Sequence, residues 1–334
     1  MFLGIDVSKN TLDAALLSAD EPARKPRHKV FANTAIGHEQ LLQWLAQNGA
    51  TQVHACLEAT GTLGQGVALT LHQAGHKVSI VNPALIRAFG QSQLSRTKTD
   101  KADAQLIARF CQMHQPPLWT PPAPEIAELQ ALVRRLESLD EMRMMEENRL
   151  ESGVSCEVVR ASLEEHIAYL QAQIEKTRQQ IRDQIDQSPT LKNQRDLLTS
   201  IPGIGETTAA LLLAEVDAAQ FESARQVAAF AGLVPRIRQS GTSVRARSRL
   251  SKAGSSRLRK GLYFPALTAL RFNPLIRALG LRLSAKGKSK MLIIGAAMRK
   301  LLHIAFGVLK SGKPFDPNFA PQNTANATKA PIVT

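Results

Sequence analysis

Leu3–Leu16, LGIDVSKNTLDAAL, decides how the first third of this chain folds. LGID is a short apolar run ending on an acid, SKN is turn chemistry, and TLDAAL resumes an apolar run of strand length. Runs of this kind separated by turn residues read as adjacent antiparallel strands. KVFAN continues the pattern as a third strand. GHEQLLQWLAQNG then sets Leu41, Leu42 and Leu45 at helical spacing and stops at Gly49, as a helix C-terminus does. VHACLEA is the next strand, GQGVALTLHQAG a helix, HKVSIVN a strand, and Pro83 opens the segment PALIRAFGQSQ. The order strand, strand, strand, helix, strand, helix, strand, helix is that of an RNase H-like α/β domain, expected over residues 1–115.

Four acids stand at the ends of these elements. Asp6 lies on the first central strand, Glu58 ends the next parallel one, and Asp100 and Asp103 sit three apart where RTKTDKADA begins a helix. Each alone has an ordinary role as a turn former, a cap or a partner of a helix N-terminus. Together they put carboxylates where they repel and lose water, which a fold tolerates when a hard divalent cation compensates them. The set therefore predicts a Mg²⁺ site. His54 and His76 read as ordinary surface or half-buried histidines.

The 334 residues carry a formal net charge of +14 and a pI near 10.0, enough chain for two domains or more and a charge that suits a polyanionic partner. Between Glu222 and Asp316 there is no acidic residue, while Lys and Arg recur throughout. Nucleic acid fits that one-sidedness better than a membrane does. No apolar run approaches the roughly 20 residues of a membrane span, and MFLGIDVSKN lacks the order of a secretion signal, so a cytoplasmic, nucleoid-associated protein is expected. Cys56, Cys111 and Cys156 show no metal-binding spacing and read as buried or half-buried hydrophobes.

Past the prolines of 116–124, EIAELQALVRRLESLDEMRMMEENRL has apolar residues at three and four spacing. Leu163, Ile167, Leu170, Ile174, Ile181 and Ile185 extend that pattern, so residues 125–190 are expected to form a helical coiled-coil linker able to self-associate. Met142, Met144 and Met145 read as packing residues. Residues 191–315 are expected to be mainly α. There LLTSIPGIGETTAALLLAEV places Gly203 and Gly205 between two helices, a helix-hairpin-helix arrangement that lets backbone approach a phosphate. Arg236, Arg238, Arg245, Arg247, Arg249, Lys252, Arg257, Arg259 and Lys260 follow as candidate nucleic-acid contacts. Aromatics are only 4% of the chain, so phosphate contacts should outweigh base stacking. QSGTSVR sets hydroxyls among arginines, where a serine could be activated, but Ser240, Thr242, Ser243, Ser248 and Ser251 cannot be ranked on chemistry alone. Residues 316–334 are polar and expected to be disordered.

GIDVSK, LEATG, NPALIRAF, RTKTDKADA, SIPGIGETTAALLLAEV, AAFAGLVPR, QSGTSVR, RLSKAG and GVLKSGKPFD, in this order, closely resemble the DEDD transposases of insertion-sequence family 110. The resemblance covers nearly the whole chain. It implies a RuvC-like domain whose four acids are Asp6, Glu58, Asp100 and Asp103, and a C-terminal transposase domain whose nucleophilic serine falls on Ser240. It also implies a recombinase that cuts and rejoins donor and target DNA through a serine-linked intermediate, guided by a noncoding RNA of its own element. A homo-oligomer, dimer or tetramer, is expected alongside it.

Three other activities compete with that expectation. A RuvC-like Holliday-junction resolvase would use the same acids to activate water without a serine. GIDVSK also resembles the first phosphate loop of sugar-kinase-like ATPases, although no later Gly-rich phosphate loop follows. A non-catalytic nucleic-acid scaffold would need none of the acids.

Overall fold

The computed structural model of the chain describes residues 1–18, 26–59, 61–93, 99–236, 239–240, 244–245 and 249–318. It divides into two compact units, Met1–Pro122 and Ala123–Thr334.

The first unit is a mixed five-stranded sheet with helices on both faces. Its elements are β1 (Phe2–Val7), β2 (Thr11–Leu17), β3 (Arg27–Ala32), α1 (Ala35–Gln47), β4 (His54–Glu58), α2 (Gln65–Gln73), β5 (Lys77–Val81), α3 (Pro83–Ser92) and α4 (Asp100–His114). The sheet order is β3-β2-β1-β4-β5, with β1 antiparallel to β2 and parallel to β4. This architecture fits an RNase H-like domain. Alternation along each strand separates two faces. Leu3, Ile5, Leu12, Ala14, Ala55 and Leu57 enter one core with Leu41 and Leu45 of α1 and Val67 and Leu71 of α2. The other face carries Phe2, Gly4 and Asp6 of β1, with Cys56 and Glu58 of β4, and α4 packs across it. The Pro-rich stretch runs along the outer edge of the sheet, where the Trp119 amide donates to the Val78 carbonyl at 2.7 Å and Ser79 Oγ donates to the carbonyl of Pro117 at 2.9 Å. An edge strand is thereby covered.

The second unit is mostly helical. It holds α5 (Pro124–Glu151), α6 (Glu157–Gln187), α7 (Pro189–Thr199), α8 (Glu206–Glu215), a 3₁₀ turn (Ala218–Gln220), α9 (Ala224–Phe230), four two-residue strands, and helices α10 (Ser256–Gly261), α11 (Tyr263–Phe272), α12 (Pro274–Ala285) and α13 (Lys290–Ser311). The strands are β6 (Pro235–Arg236), β7 (Gln239–Ser240), β8 (Val244–Arg245) and β9 (Arg249–Leu250), with β6 paired to β9 and β7 to β8. The long helices α5 and α6 pack along each other, and their Leu129, Val133, Leu136, Leu170, Ile174 and Ile181 share one core with α7–α13. α13 is long and apolar enough by composition to cross a membrane, yet Ala297, Leu301, Leu302, Ala305 and Phe306 place its apolar face in this core.

Three expectations change. Met142, Met144 and Met145 are exposed, because they lie on the outer side of α5 rather than on its Leu129–Leu139 stripe. Cys156 is exposed at the N-terminus of α6, whereas Cys56 and Cys111 are buried as expected. His76 is buried at 9% exposure, with its Nδ1 3.4 Å from the Val53 amide. The polar tail expected over 316–334 lies outside the described residues beyond Asn318.

Candidate active site

Strand ends and one helix bring the predicted acids to a common face. β1 and β4 run parallel with Ile5 opposite Leu57, so Asp6 and Glu58 leave neighbouring strands at the same end of the sheet. Thr99 caps α4 by accepting from the Ala102 amide at 3.2 Å, and Asp100 and Asp103 occupy the first helical turn. α4 can lie this close because Gly4 has no side chain. A Cβ there would stand 2.2 Å from the Ala104 carbonyl oxygen and 2.3 Å from the Ala108 nitrogen.

The electrostatics record that convergence. Burial, and then Asp103, Asp100 and Asp13, push the Asp6 carboxyl up to about 6. Glu58 is raised by burial and by Asp6 and Asp103, and Arg87 on α3 pulls it partly back. Carboxylates gathered in this way repel one another, and Arg87 offsets that at Glu58 only in part. An all-oxygen, like-charged donor set fits a hard divalent cation. Among the described residues no three acids, histidines or cysteines are drawn close enough to hold a metal ion in this conformation.

Asp13 and Arg87 were missed by the sequence reading. Asp13 faces Asp6 directly across the β1–β2 ladder, is 8% exposed, and has its Oδ1 2.8 Å from His28 Nε2. Counting register through the LGIDVSKNTLDAAL hairpin would have found it. Arg87 needed the packing of α3, which NPALIRAF does not announce.

In the second unit the backbone of Ser240 pairs with Val244, and that of Gln239 with Arg245. Arg236 pairs with Arg249 in the adjoining ladder, and both side chains are exposed, as is Lys252. Arg238, Arg247, Thr242, Ser243 and Ser248 lie outside the described residues, as do the side chains of Ser240 and Arg245. Ser251 has a structural use, since its amide donates to Val234 at 2.8 Å and its hydroxyl to Gly232 at 3.4 Å.

The three most C-terminal predicted cations have partners within the protein. Arg257 donates from Nε to Glu137 Oε2 at 2.6 Å and from Nη1 to Glu215 Oε1 at 3.0 Å. Lys260 reaches Glu141 Oε1 at 2.5 Å. Arg259 Nη1 donates to the carbonyls of Ala231, Gly254 and Ser255, tying the AAFAG and SKAG segments together. The acid-free run is thus not free of counter-charge in space, because α5 and α8 supply it. Gly203, with φ +106, turns its missing side chain toward Ala269, whose Cβ would stand 2.7 Å from an added Cβ. Asn273 Nδ2 donates to the Pro202 carbonyl at 3.4 Å, and the Phe315 amide to Ser200 Oγ at 2.9 Å. The PGIG turn is therefore held from inside the unit, and only Gly205 faces open space.

Residues 3–155 match the Transposase model of DEDD IS110 proteins, and residues 195–280 match that of the Transposase IS116/IS110/IS902 family. The pilin gene-inverting protein of Moraxella bovis is 35% identical over 319 residues, covering 94% of this chain and 97% of that protein. The chain belongs to the IS110 family of DEDD transposases. The pilin gene-inverting protein of Moraxella lacunata matches at the same identity and coverage. The transposase of insertion sequence element IS1328 from Yersinia enterocolitica is 27% identical over 289 residues, spanning 77% of this chain and 80% of that protein. This IS110-family protein is thus an enzyme of DNA transposition and recombination.

Proposed function

We propose that this IS110-family transposase cuts and rejoins DNA by serine attack assisted by Mg²⁺. The observation that carries the acidic half is the elevation of Asp6 by burial and by Asp103 and Asp100 of α4, and of Glu58 by burial and by Asp6 and Asp103. Asp6, Glu58, Asp100 and Asp103 would hold the cation, which when bound supplies Lewis-acid relief of charge on a phosphate oxygen. Asp13, paired with His28, adds a further like charge facing Asp6 from the neighbouring strand. Ser240 Oγ forms a bond to the phosphorus of a phosphodiester, the DNA oxygen on the far side leaves, and the serine proton passes to it. A hydroxyl of the second DNA end then bonds to the same phosphorus, the serine oxygen leaves and takes up that hydroxyl's proton, so one phosphodiester replaces another and bond energy is conserved through strand exchange. Exposed Arg236 and Arg249, together with Arg245, suit holding the phosphates.

The resemblance to the family supports a guide RNA that selects donor and target, and a homo-oligomer. The Moraxella relatives, named as pilin gene-inverting proteins, support inversion of a DNA segment as one outcome of the same chemistry.

The test is a denaturing gel of the purified protein incubated with element-end DNA, its transcript and Mg²⁺. A covalent protein–DNA adduct forms with the native chain and is absent with Ser240→Ala, while DNA binding persists. Efficient cleavage by Ser240→Ala would instead show a resolvase that activates water. Unchanged cleavage after ribonuclease treatment would remove the guide RNA from the mechanism.

A further inference from the structure

The four cations of the turn between α12 and α13 were not among the predicted contacts. Arg282 lies in the last turn of α12, Lys286 caps it, Lys288 follows, and Lys290 opens α13. All four are exposed. Among the described residues none of them makes an ion pair or a side-chain hydrogen bond, in contrast to Arg257 and Lys260. The turn is well defined: Gly287 has φ +66, its amide donates to Ser284 at 2.9 Å, and that of Lys288 donates to Leu283 at 3.1 Å. Four like charges within nine residues, with no acid between Glu222 and Asp316, repel one another unless something outside the chain offsets them.

We propose that the α12–α13 turn is a duplex-DNA contact surface that grips the phosphate backbone, separate from the β6–β9 hairpin. It rests on the transposase reading only in that DNA is the substrate. Duplex DNA presents one phosphate charge per roughly 1.7 Å of axis, a density that such a cluster complements. Residues 281–292, LRLSAKGKSKML, contain no aromatic side chain, so the turn offers no platform for stacking the bases of a single strand. Leu281 and Met291, 64% and 66% exposed, flank the cations and would pack against deoxyribose. Backbone contacts of this kind position a protein without reading sequence.

The experiment is fluorescence anisotropy of the full-length protein with a labelled duplex of unrelated sequence, across a salt titration. In Arg282→Gln/Lys286→Gln/Lys288→Gln/Lys290→Gln the slope of log K against log salt should become shallower by about 3–4. Affinity near physiological salt should fall roughly 10²–10³-fold. Lys288→Gln alone should lower the slope by about 1. Replacement by the opposite cation at each position (Arg282→Lys with Lys286, Lys288 and Lys290→Arg) should leave the slope unchanged. An unchanged slope in both Gln variants overturns the proposal. So does a loss seen only with matched duplex RNA, or only in sedimentation with anionic phospholipid vesicles. Ser240→Ala is expected to bind with the native slope, so failure of the serine mechanism and failure of this surface give different results.

Discussion

The two units treat charge in opposite ways. In Met1–Pro122 acids are gathered on one face of a sheet, half-buried beneath a helix, and their mutual repulsion stays in the folded state as a raised Asp6 and Glu58. In Ala123–Thr334 the cations are spread out, and the fold has already consumed some of them. Arg257 serves Glu137 and Glu215, Lys260 serves Glu141, and Arg259 staples backbone, while Arg236, Arg249 and the α12–α13 turn stay open to solvent. A concentrated, partly dehydrated charge is suited to holding a small cation near a reacting bond. A dispersed, hydrated one is suited to a long polyanion. Proximity in sequence does not say which cations are spent, because their partners lie on other elements.

The largest effect that would break this contrast is at Asp6. Asp6→Asn should lower strand cleavage by roughly 10³-fold or more, read in single-turnover assays. Its effect on stability has the opposite sign. The folded carboxyl titrates at about 6 and an unfolded Asp near 3.9, so the native state holds its proton longer. The metal-free protein should then lose stability as pH rises from about 4 to 6 and stay level above that. Thermal melts of Asp6→Asn should show a smaller loss, and added Mg²⁺ should restore the native chain mainly above pH 6. A native protein that gains stability over this interval would contradict the convergence of the acids.

Next in size is Gly203→Ala, which combines a positive φ with a contact against Ala269 and should cost about 2–3 kcal/mol in denaturant unfolding. A neutral result would mean that the PGIG turn is open rather than packed. Arg257→Ala leaves Glu137 and Glu215 unpaired at a half-buried position and should cost about 1–2 kcal/mol, with the salt slope of DNA binding unaltered. A loss of slope without a loss of stability would return Arg257 to the DNA-contacting group. Lys260→Ala, at an exposed pair, should cost less than about 1 kcal/mol.

The order of elements in the first unit was legible because strand alternation, helical spacing and turn residues agree from LGID to KADA. The placement of Asp6, Glu58, Asp100 and Asp103 was legible for the same reason, each standing near the end of an element that could be read locally. Asp13 was not, since only the register of β1 against β2 makes it Asp6's neighbour. Arg257, Arg259 and Lys260 read as nucleic-acid contacts because nothing near them in sequence is acidic, yet α5 answers two of them from about 120 residues away. The methionines of α5 and Cys156 followed composition rather than the helical face they occupy. Ser240 was singled out by family resemblance, since five hydroxyls in one basic loop offer no local means of choosing among them.

Gly4 gives the acidic motif a second half that carries no charge. With hydrogen in place of a side chain, the backbone of α4 rests on β1 near Ala104 and Ala108, and this thickness sets how far Asp103 stands from Asp6. Any larger residue there would act as a wedge, lifting the helix and its two acids away while leaving every carboxylate in the chain. The unit of inheritance in LGID is therefore a spacer and an acid together. A homologue that keeps all four acids but replaces this glycine would retain the letters of the site without its dimensions.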